Sequence, residues 1–285
     1  MANKILLAMA ICLAVAASAS AGLGDGLISY WNMNEGSGLT TADGQGSNDG
    51  SLLAGGKGGV VNGVAPQWNA GGKFGYCLDF DGVSAYVDAG NDASLKPVHV
   101  SVSAWVKFDA YPYYGQIAGN AIDTGTKECG YSILADSYYV SGSADNLTMW
   151  VSGGTPINGN YNGTNDVPAE PVGWTNIVGT YDGTTAKVYV NGVEKVSSTL
   201  DSGDIDYTYS KGFLMGVYWT PIPSSTEWWL PYLGLIDDVA VWDRALTSDE
   251  VGVIWNNGDG TQIPEPMTLA LLGIGGLGLL RRRKK

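Results

Sequence analysis

Apolar and polar residues alternate along most of the interior of the chain. In the clearest run, Val98–Val106 (VHVSVSAWV), the valines and Ala104 form one face, and every second residue from His99 to Trp105 forms the other. Successive side chains of a strand point to opposite faces, so this period of two predicts strands with one buried face. Further strands are predicted at Leu27–Met33, Cys77–Phe80, Tyr131–Leu134, Leu147–Val151, Phe213–Val217 and Leu235–Trp242.

Two tight turns predict a hairpin series over Trp174–Val196. Asp182-Gly183 and Asn191-Gly192 supply residues that tolerate the positive φ angles of short hairpin turns. Ala186–Val190 is the strand between them. The register of these strands is therefore set locally.

One segment carries helix signals at both ends. Thr247-Ser248-Asp249-Glu250 is a capping box, apolar residues follow up to Trp255, and Gly258 ends the pattern. A lone helix after many strands predicts an all-β sandwich with one short C-terminal helix packed at its edge. The 285 residues, 42 glycines and 15% charged residues suit a single domain of short strands and tight turns.

Both ends of the chain are predicted to be targeting signals. Residues 1–21 combine Lys4, an apolar stretch and the small residues Ala19-Ser20-Ala21, which predicts export and removal by signal peptidase. Cys12 lies in this leader, where a lipoprotein anchor is the alternative. Without the terminal segments, the body carries 9 basic against 27 acidic groups. A surface this acidic argues against nucleic acid as a partner and favours cations or neutral ligands.

The C-terminus combines three features in a fixed order. Ile263-Pro264-Glu265-Pro266 precedes Met267–Leu280, which has no charge, and a terminal basic cluster made of Arg281, Arg282, Arg283, Lys284 and Lys285. The 14 apolar residues are fewer than the roughly 20 that span a bilayer, but flanking cations that snorkel lengthen the effective span. We expect a C-terminal membrane helix here. A tail that simply anchors the protein is the alternative.

This tail resembles the PEP-CTERM protein-sorting signal. The resemblance implies that a membrane exosortase recognises and processes the segment. It places the protein on the cell envelope, the outer surface or the extracellular matrix of a Gram-negative-type bacterium, with transient anchoring through the membrane. The chain then divides into a signal peptide (1–21), one domain (22–260) and a sorting segment (261–285), with Thr261–Ile263 as a short linker.

Six segments in order resemble the LamG-like jelly-roll family across Leu27–Asn257. They are Leu27–Gly38 with Asn48-Asp49-Gly50, Leu78–Gly82 with Ala85–Val87, Val102–Val106, Trp174–Gly183, Tyr189–Gly192 and Gly234–Leu246. The resemblance implies a concanavalin A-like jelly-roll sandwich of two antiparallel sheets, found in lectin-like, adhesive and accessory modules. Such a fold does not by itself settle the function.

The sequence offers little for catalysis. The sole histidine, His99, lies among alternating serines with no nucleophile turn, so we interpret it as a solvated strand residue. The paired strand carboxylates of sandwich-fold glucanases, commonly Glu-x-Asp-x-x-Glu, are absent. We therefore expect no enzyme activity.

Four aspartates are candidate ligands for one structural Ca²⁺. Asp79 and Asp81 alternate on one strand, and Asp237 and Asp238 interrupt an apolar strand. Strict alternation puts Asp237 on the face of Leu235, Val239 and Val241, where a buried charge needs a cation or donors. The alternative is that these aspartates cap backbone amides in turns.

Two further sets of residues suggest roles. Cys77 and Cys129 remain after export, and an oxidising compartment favours a disulfide between them. Aromatic residues in proline-rich segments suit the apolar faces of sugars, although they could equally be satellite core. This predicted ligand-binding set is Tyr113, Tyr114, Trp219, Trp228, Trp229 and Tyr232.

Three functions stay open. The first is a non-catalytic binding module whose partner is a carbohydrate or extracellular polymer such as an extracellular polysaccharide. The second is a structural or adhesive envelope protein that binds protein partners. A polysaccharide hydrolase is the third, opposed by the missing carboxylate pair.

Overall fold

The structure is a computed structural model that describes residues 22–55, 63–109, 115–123, 128–136, 146–152, 173–200, 203–220 and 228–263. The predicted signal peptide, the Pro264-Glu265-Pro266 motif and the basic cluster lie outside these residues, as do Tyr113 and Tyr114.

The strands of the described part are β1 (Leu27–Trp31), β2 (Thr40–Thr41), β3 (Gly50–Ala54), β4 (Gln67–Gly72), β5 (Gly75–Asp81), β6 (Ala85–Asp88), β7 (Val100–Phe108), β8 (Gly115–Asp123), β9 (Glu128–Asp136), β10 (Asn146–Ser152), β11 (Thr175–Tyr181), β12 (Thr185–Val190), β13 (Val193–Thr199), β14 (Leu214–Met215), β15 (Val217–Thr220), β16 (Trp228–Pro231) and β17 (Leu233–Trp242). Helix α1 spans Ser248–Trp255, and short 3₁₀ turns span Ala93–Leu95 and Asn256–Gly258.

These strands form two large antiparallel sheets. Sheet A has the order β13-β12-β11-β7-β17-β5-β4, and β1 pairs with the second half of β17, beyond the end of β5. Sheet B has the order β10-β9-β8-β14-β6-β3-β2, and β15 and β16 form a separate hairpin. The predicted two-sheet sandwich with one short helix is confirmed.

The main core lies between the two sheets. Trp31 from β1 stacks on Phe213 with ring centroids 5.2 Å apart, and Phe80 from β5 and Ile133 from β9 lie in the same buried cluster. Alternate residues of β5 and β9 enter this layer, as the period-two pattern predicts: Leu78 and Phe80 from β5, and Tyr131, Ile133 and Ala135 from β9.

The local signals for the hairpins and the helix act as predicted. Asn191 and Gly192 adopt φ angles of 53° and 77° between β12 and β13. At α1, the Thr247 hydroxyl accepts from the Glu250 amide while the Glu250 carboxylate accepts from the Thr247 amide. The predicted strand Phe213–Val217 is instead divided between β14 and β15 at Gly216, where φ is 82°.

The second face of β7 is a correction to the sequence analysis. Ser101, Ser103 and Trp105 are buried, although alternation predicts an exposed polar face. The Ser101 hydroxyl donates to the Arg244 carbonyl and accepts from the Leu246 amide, and Trp105 stacks on Trp255. The segment carrying α1 therefore covers this face and makes β7 a strand that is buried on both sides.

A β-bulge in β17 is a second correction. Asp238 has φ of 47°, and the pairing of β17 with β7 shifts between Asp237 and Ala240. The extra residue reverses the alternation, because Val239 faces the inter-sheet core while Ala240 lies in the cluster under α1. Asp237 therefore does not share a face with Val239, and lies on the outer side of sheet A.

The predicted linker Thr261–Ile263 is also part of the fold. The Thr261 amide donates to the Ile254 carbonyl at 3.0 Å, and Ile263 is only 4% exposed. No helix within the described segments is long and apolar enough to cross a membrane.

Candidate functional site

The hairpin formed by β15 and β16 covers the outer face of sheet B. Tyr218 and Leu230 pack on a small cluster that includes Leu134 and Trp150. The register places Trp219 directly opposite Trp229 and Thr220 opposite Trp228. Residues opposite each other in an antiparallel pair share a face, so Trp219 and Trp229 occupy positions on one face of the hairpin, and Trp228 occupies a position on the other face.

Tyr232 is a correction to the predicted ligand set. It directly follows β16 but is 0% exposed, with its ring 5.4 Å from the Phe108 ring and 6.1 Å from the Phe80 ring. Its hydroxyl donates to the Leu235 carbonyl at 3.2 Å. Tyr232 therefore belongs to the core, where a surface ligand does not reach it.

Asp81 is engaged in the turn between β5 and β6. Its carboxylate accepts from the amides of Val83, Ser84 and Ala85 at 2.7–2.9 Å and from the Ser84 hydroxyl at 2.7 Å. Burial raises the pKa of Asp81, but the hydrogen bonds from Ser84, Ala85 and Val83 outweigh it and hold the pKa below its usual value. This is the turn-capping role that the sequence left as the alternative to Ca²⁺ binding.

Asp79, two residues earlier on β5, is less constrained. Its carboxylate accepts from the Asn69 side-chain amide at 3.4 Å. It is half-buried and pairs across the strands with Leu235 of β17. Asp79 thus shares the outer face of sheet A with Asp237, while Asp81 serves the turn at the end of β5.

The bulge in β17 places two consecutive carboxylates inside the protein. Asp237 is 0% and Asp238 4% exposed. Asp237 accepts from the Phe74 amide at 3.1 Å and from the Asp238 amide at 2.9 Å. Oδ1 of Asp238 accepts from the Tyr30 hydroxyl, while Oδ2 has no hydrogen-bond partner in the described part of the chain.

Burial shifts the protonation of this pair. Desolvation raises the pKa of Asp237 to about 7, although the amides of Phe74, Asp238 and Lys73 oppose the shift. Desolvation and the negative charge of Asp237 raise the pKa of Asp238 well above its usual value. Two neighbouring carboxylates removed from water favour the neutral form, so the pair retains protons at a pH where exposed aspartates have lost theirs.

The four predicted Ca²⁺ ligands make different contacts in the structure. Asp81 caps a turn, and Asp237 binds amides on the outer side of sheet A. Within the described ranges, no three His, Cys, Asp or Glu side chains converge as they would around a metal ion. A structural Ca²⁺ stays a prediction, and a thermal melt with and without chelator tests it.

The structure does not join Cys77 and Cys129. They lie on β5 of sheet A and β9 of sheet B, and no disulfide links them. Cys77 Sγ lies 3.5 Å from the Asn69 carbonyl, and Cys129 Sγ lies 3.7 Å from the Asp206 carboxylate. Burial, together with the charges of Asp237 and Asp79, raises the pKa of the Cys77 thiol to about 12, which leaves it unreactive.

A polar surface cavity of about 390 Å³ is a feature that the sequence analysis did not assign to a role. It lies where β3 begins and β6 ends, and is lined by residues including Asn48, Asp49, Asp88, Asn91 and Asp92. Asp88 accepts from the Gly90 amide and Asp92 from the Ser94 amide. The sequence signal that could have indicated this cavity is the repeated Asn and Asp residues at 48–49 and 88–92.

His99 is exposed and precedes β7. A Cβ added at Gly183 would lie 2.6 Å from His99 Nε2, which places the imidazole against the turn between β11 and β12. The imidazole lies at a solvent-facing strand end, as expected for a solvated histidine.

Comparisons with known proteins agree with this architecture. The model of the concanavalin A-like lectin/glucanases superfamily matches residues 81–252, and the PEP-CTERM protein-sorting motif matches residues 262–284. No curated protein sequence matches the chain.

Two solved structures illustrate the fold. Domain 4 of AbnA, a GH43 extracellular arabinanase from Geobacillus stearothermophilus, was solved with arabinotriose. It is 20% identical with a TM-score of 0.55, over 82% of this chain and 98% of that one. Trypanosoma rangeli sialidase in complex with sialic acid is 17% identical with a TM-score of 0.50, over 83% of this chain but 34% of the sialidase. At these identities the likeness shows the fold alone.

Proposed function

The chain belongs to the concanavalin A-like lectin/glucanase superfamily, and we propose that it is a non-catalytic carbohydrate-binding module of the cell surface or extracellular matrix. Its PEP-CTERM motif identifies an exported protein that is sorted to the cell envelope and implies processing by an exosortase. Removal of residues 1–21 by signal peptidase and transient anchoring in a Gram-negative-type envelope belong to the proposal.

The hairpin of β15 and β16 carries the proposal for glycan binding. Its register places Trp219 opposite Trp229 on one face, while Tyr218 and Leu230, on the other face, hold the hairpin to sheet B. Aromatic rings suit the apolar faces of sugars, and a two-stranded scaffold limits the entropy lost when a ligand binds. The arabinotriose bound to domain 4 of AbnA is consistent with this ligand class, since that domain matches this chain over nearly its whole length.

The described carboxylates support a binding role over hydrolysis. Asp237 and Asp238 are both shifted toward the neutral form, whereas a glycosidase keeps one carboxyl protonated and the other ionised, and both are enclosed on the outer side of sheet A. A polysaccharide does not reach them there. A glycosidase needs two carboxyl groups that flank a bound sugar. The acidic surface favours a structural or adhesive protein that binds protein partners as the second candidate.

Glycan arrays and polysaccharide pull-downs with the secreted protein test the proposal. Replacing Trp219 and Trp229 together by alanine should weaken binding about tenfold or more, if each ring contributes about 1 kcal/mol. Tyr209→Ala is the matched control, because Tyr209 is an aromatic residue that is 45% exposed elsewhere on the surface. A parent protein that binds no glycan, or a double variant that binds as well as the parent, would refute glycan binding. Polysaccharide cleavage by the parent would refute the non-catalytic role.

A further inference from the structure

The fold holds the chain up to the residue before the Pro-Glu-Pro motif. After α1, the Gly260 amide donates to the Trp255 carbonyl and the Thr261 amide donates to the Ile254 carbonyl, both at 3.0 Å. Ile263 is 4% exposed and packs in the apolar cluster beneath α1, which also contains Leu27 and Ala240. The backbone hydrogen bonds and the buried side chain fix this segment on the outer face of sheet A.

A lysine from another part of the sandwich adds to this attachment. Lys73, in the turn between β4 and β5, donates from Nζ to the Gly258 carbonyl at 2.5 Å. The same ammonium lies 4.4 Å from the Trp105 ring centroid, and Trp105 stacks on Trp255 at 5.6 Å. Lys73 therefore binds the turn that follows α1 at Gly258, and Trp105 packs against Trp255 at the end of α1.

This arrangement leaves no spacer between the fold and the sorting signal. The PEP-CTERM match begins at residue 262, so Ile263 is both part of the matched motif and part of the buried cluster. Enzymes that process a peptide chain prefer exposed segments that are free of fixed backbone hydrogen bonds. The buried Ile263 directly precedes Pro264 in the sequence.

We propose that docking of Ile263 restricts access to the sorting signal, so that the exosortase processes the folded protein mainly when the segment ending at Ile263 undocks. The processing rate then scales with the undocked fraction, because a state that is only partly populated reduces the apparent affinity by that fraction. Burial of an isoleucine side chain shifts such an equilibrium by about ten- to a hundredfold. The contact would couple release from the membrane to the stability of this end of the fold.

Pulse–chase labelling of the full chain in cells that contain the exosortase tests the proposal. Ile263→Ala should be processed about tenfold faster than the parent, and Ile263→Val, which keeps most of the buried surface, should stay near the parent rate. Val253→Ala is the matched control, since Val253 is an aliphatic residue on α1 that is 51% exposed. An Ile263→Ala variant that is processed at the parent rate, or more slowly, would overturn the proposal.

A second variant separates docking from sequence recognition, because Ile263 lies inside the matched motif. Inserting Gly-Ser-Gly-Ser-Gly-Thr-Gln-Ile after Ile263 leaves the docked residue in place and gives the motif its own preceding Thr-Gln-Ile. This variant should be processed at least as fast as Ile263→Ala. Processing at the parent rate would overturn the proposal. Hydrogen exchange at the Thr261 amide should speed up in Ile263→Ala and stay slow in the insertion variant.

Discussion

The outer faces of the two sheets are covered in different ways. On sheet A, α1 and the chain on both sides of it close over a buried cluster that includes Tyr30, Trp242, Val251 and Ile254. On sheet B, the hairpin of β15 and β16 covers a smaller cluster in the described part of the chain, with Tyr218 as its buried contribution.

The polar contacts extend this contrast. Glu250 of α1 is 3% exposed and binds Arg244 through two hydrogen bonds of 2.6 and 2.9 Å, while it also caps the helix at Thr247. Asp237 joins β17 to the turn at Phe74. Fixed polar contacts of this kind hold the cover of sheet A in place, and Tyr218 and Leu230 pack the hairpin against sheet B. The cover of sheet A is therefore part of the structural core, and the proposed glycan site lies on the other cover.

The pH dependence of stability should show the largest effect, and it belongs to sheet A. Because the pKa of Asp237 is about 7 in the folded protein against 3.8 for an ordinary aspartate, the folded chain holds a proton that the unfolded chain releases between these values. Asp237 alone should lower the free energy of unfolding by about 1.4 kcal/mol for each pH unit as the pH rises through this window, and its contribution should level off above it. Urea denaturation at several pH values measures the slope.

Asp238 should add to this fall, since its pKa is raised in the same direction. Asp238→Asn imitates the protonated side chain and should roughly halve the slope. A stability that rises between pH 4.5 and 7, as in proteins with paired surface carboxylates, would contradict the buried pair.

The Asp237 side chain itself gives the second prediction. Asp237→Ala leaves the amides of Phe74 and Asp238 without their acceptor, and should cost about 3 kcal/mol in the free energy of unfolding. The measurement should be made at pH 5, where the Asp237 carboxyl is protonated. At that pH the substitution removes hydrogen bonds but does not relieve charge repulsion between Asp237 and Asp238. Asp79→Ala, on the same face, should cost less than about 1 kcal/mol, because its bond to Asn69 is long. If Asp237→Ala and Asp79→Ala lower the free energy of unfolding equally, the hydrogen bonds of Asp237 have no special role in stability.

The sequence predicts much of both sheets but not how the face of sheet A is closed. The capping box at Thr247 and the turn at Asn191 are short-range signals, and each forms the structure that its residues predict. The bulge at Asp238 is different, because one extra residue reverses every later position of β17. Alternation gives no sign of a bulge, so the face of Asp237 could not be predicted from it.

Aromatic residues of the candidate site show the same limit. Trp219 and Trp229 are separated by nine residues, and only the hairpin register places them opposite each other. Tyr232 has a similar proline-rich neighbourhood in the sequence, yet it packs between Phe80 and Phe108. Composition therefore identifies which residues suit a sugar, while long-range packing decides which of them face the surface.

Matched truncations compare the two covers directly. Ile254 of α1 is 1% exposed, so Ile254→Ala leaves a cavity and should cost about 3 kcal/mol in the free energy of unfolding. Leu230 is only partly buried, and Leu230→Ala should cost about 1 kcal/mol. Glycan binding should respond in the opposite order, since loosening the hairpin disturbs the positions of Trp219 and Trp229 while α1 lies on the other sheet. If Ile254→Ala weakens glycan binding as much as Leu230→Ala at a temperature where both are folded, the two covers do not have separate roles.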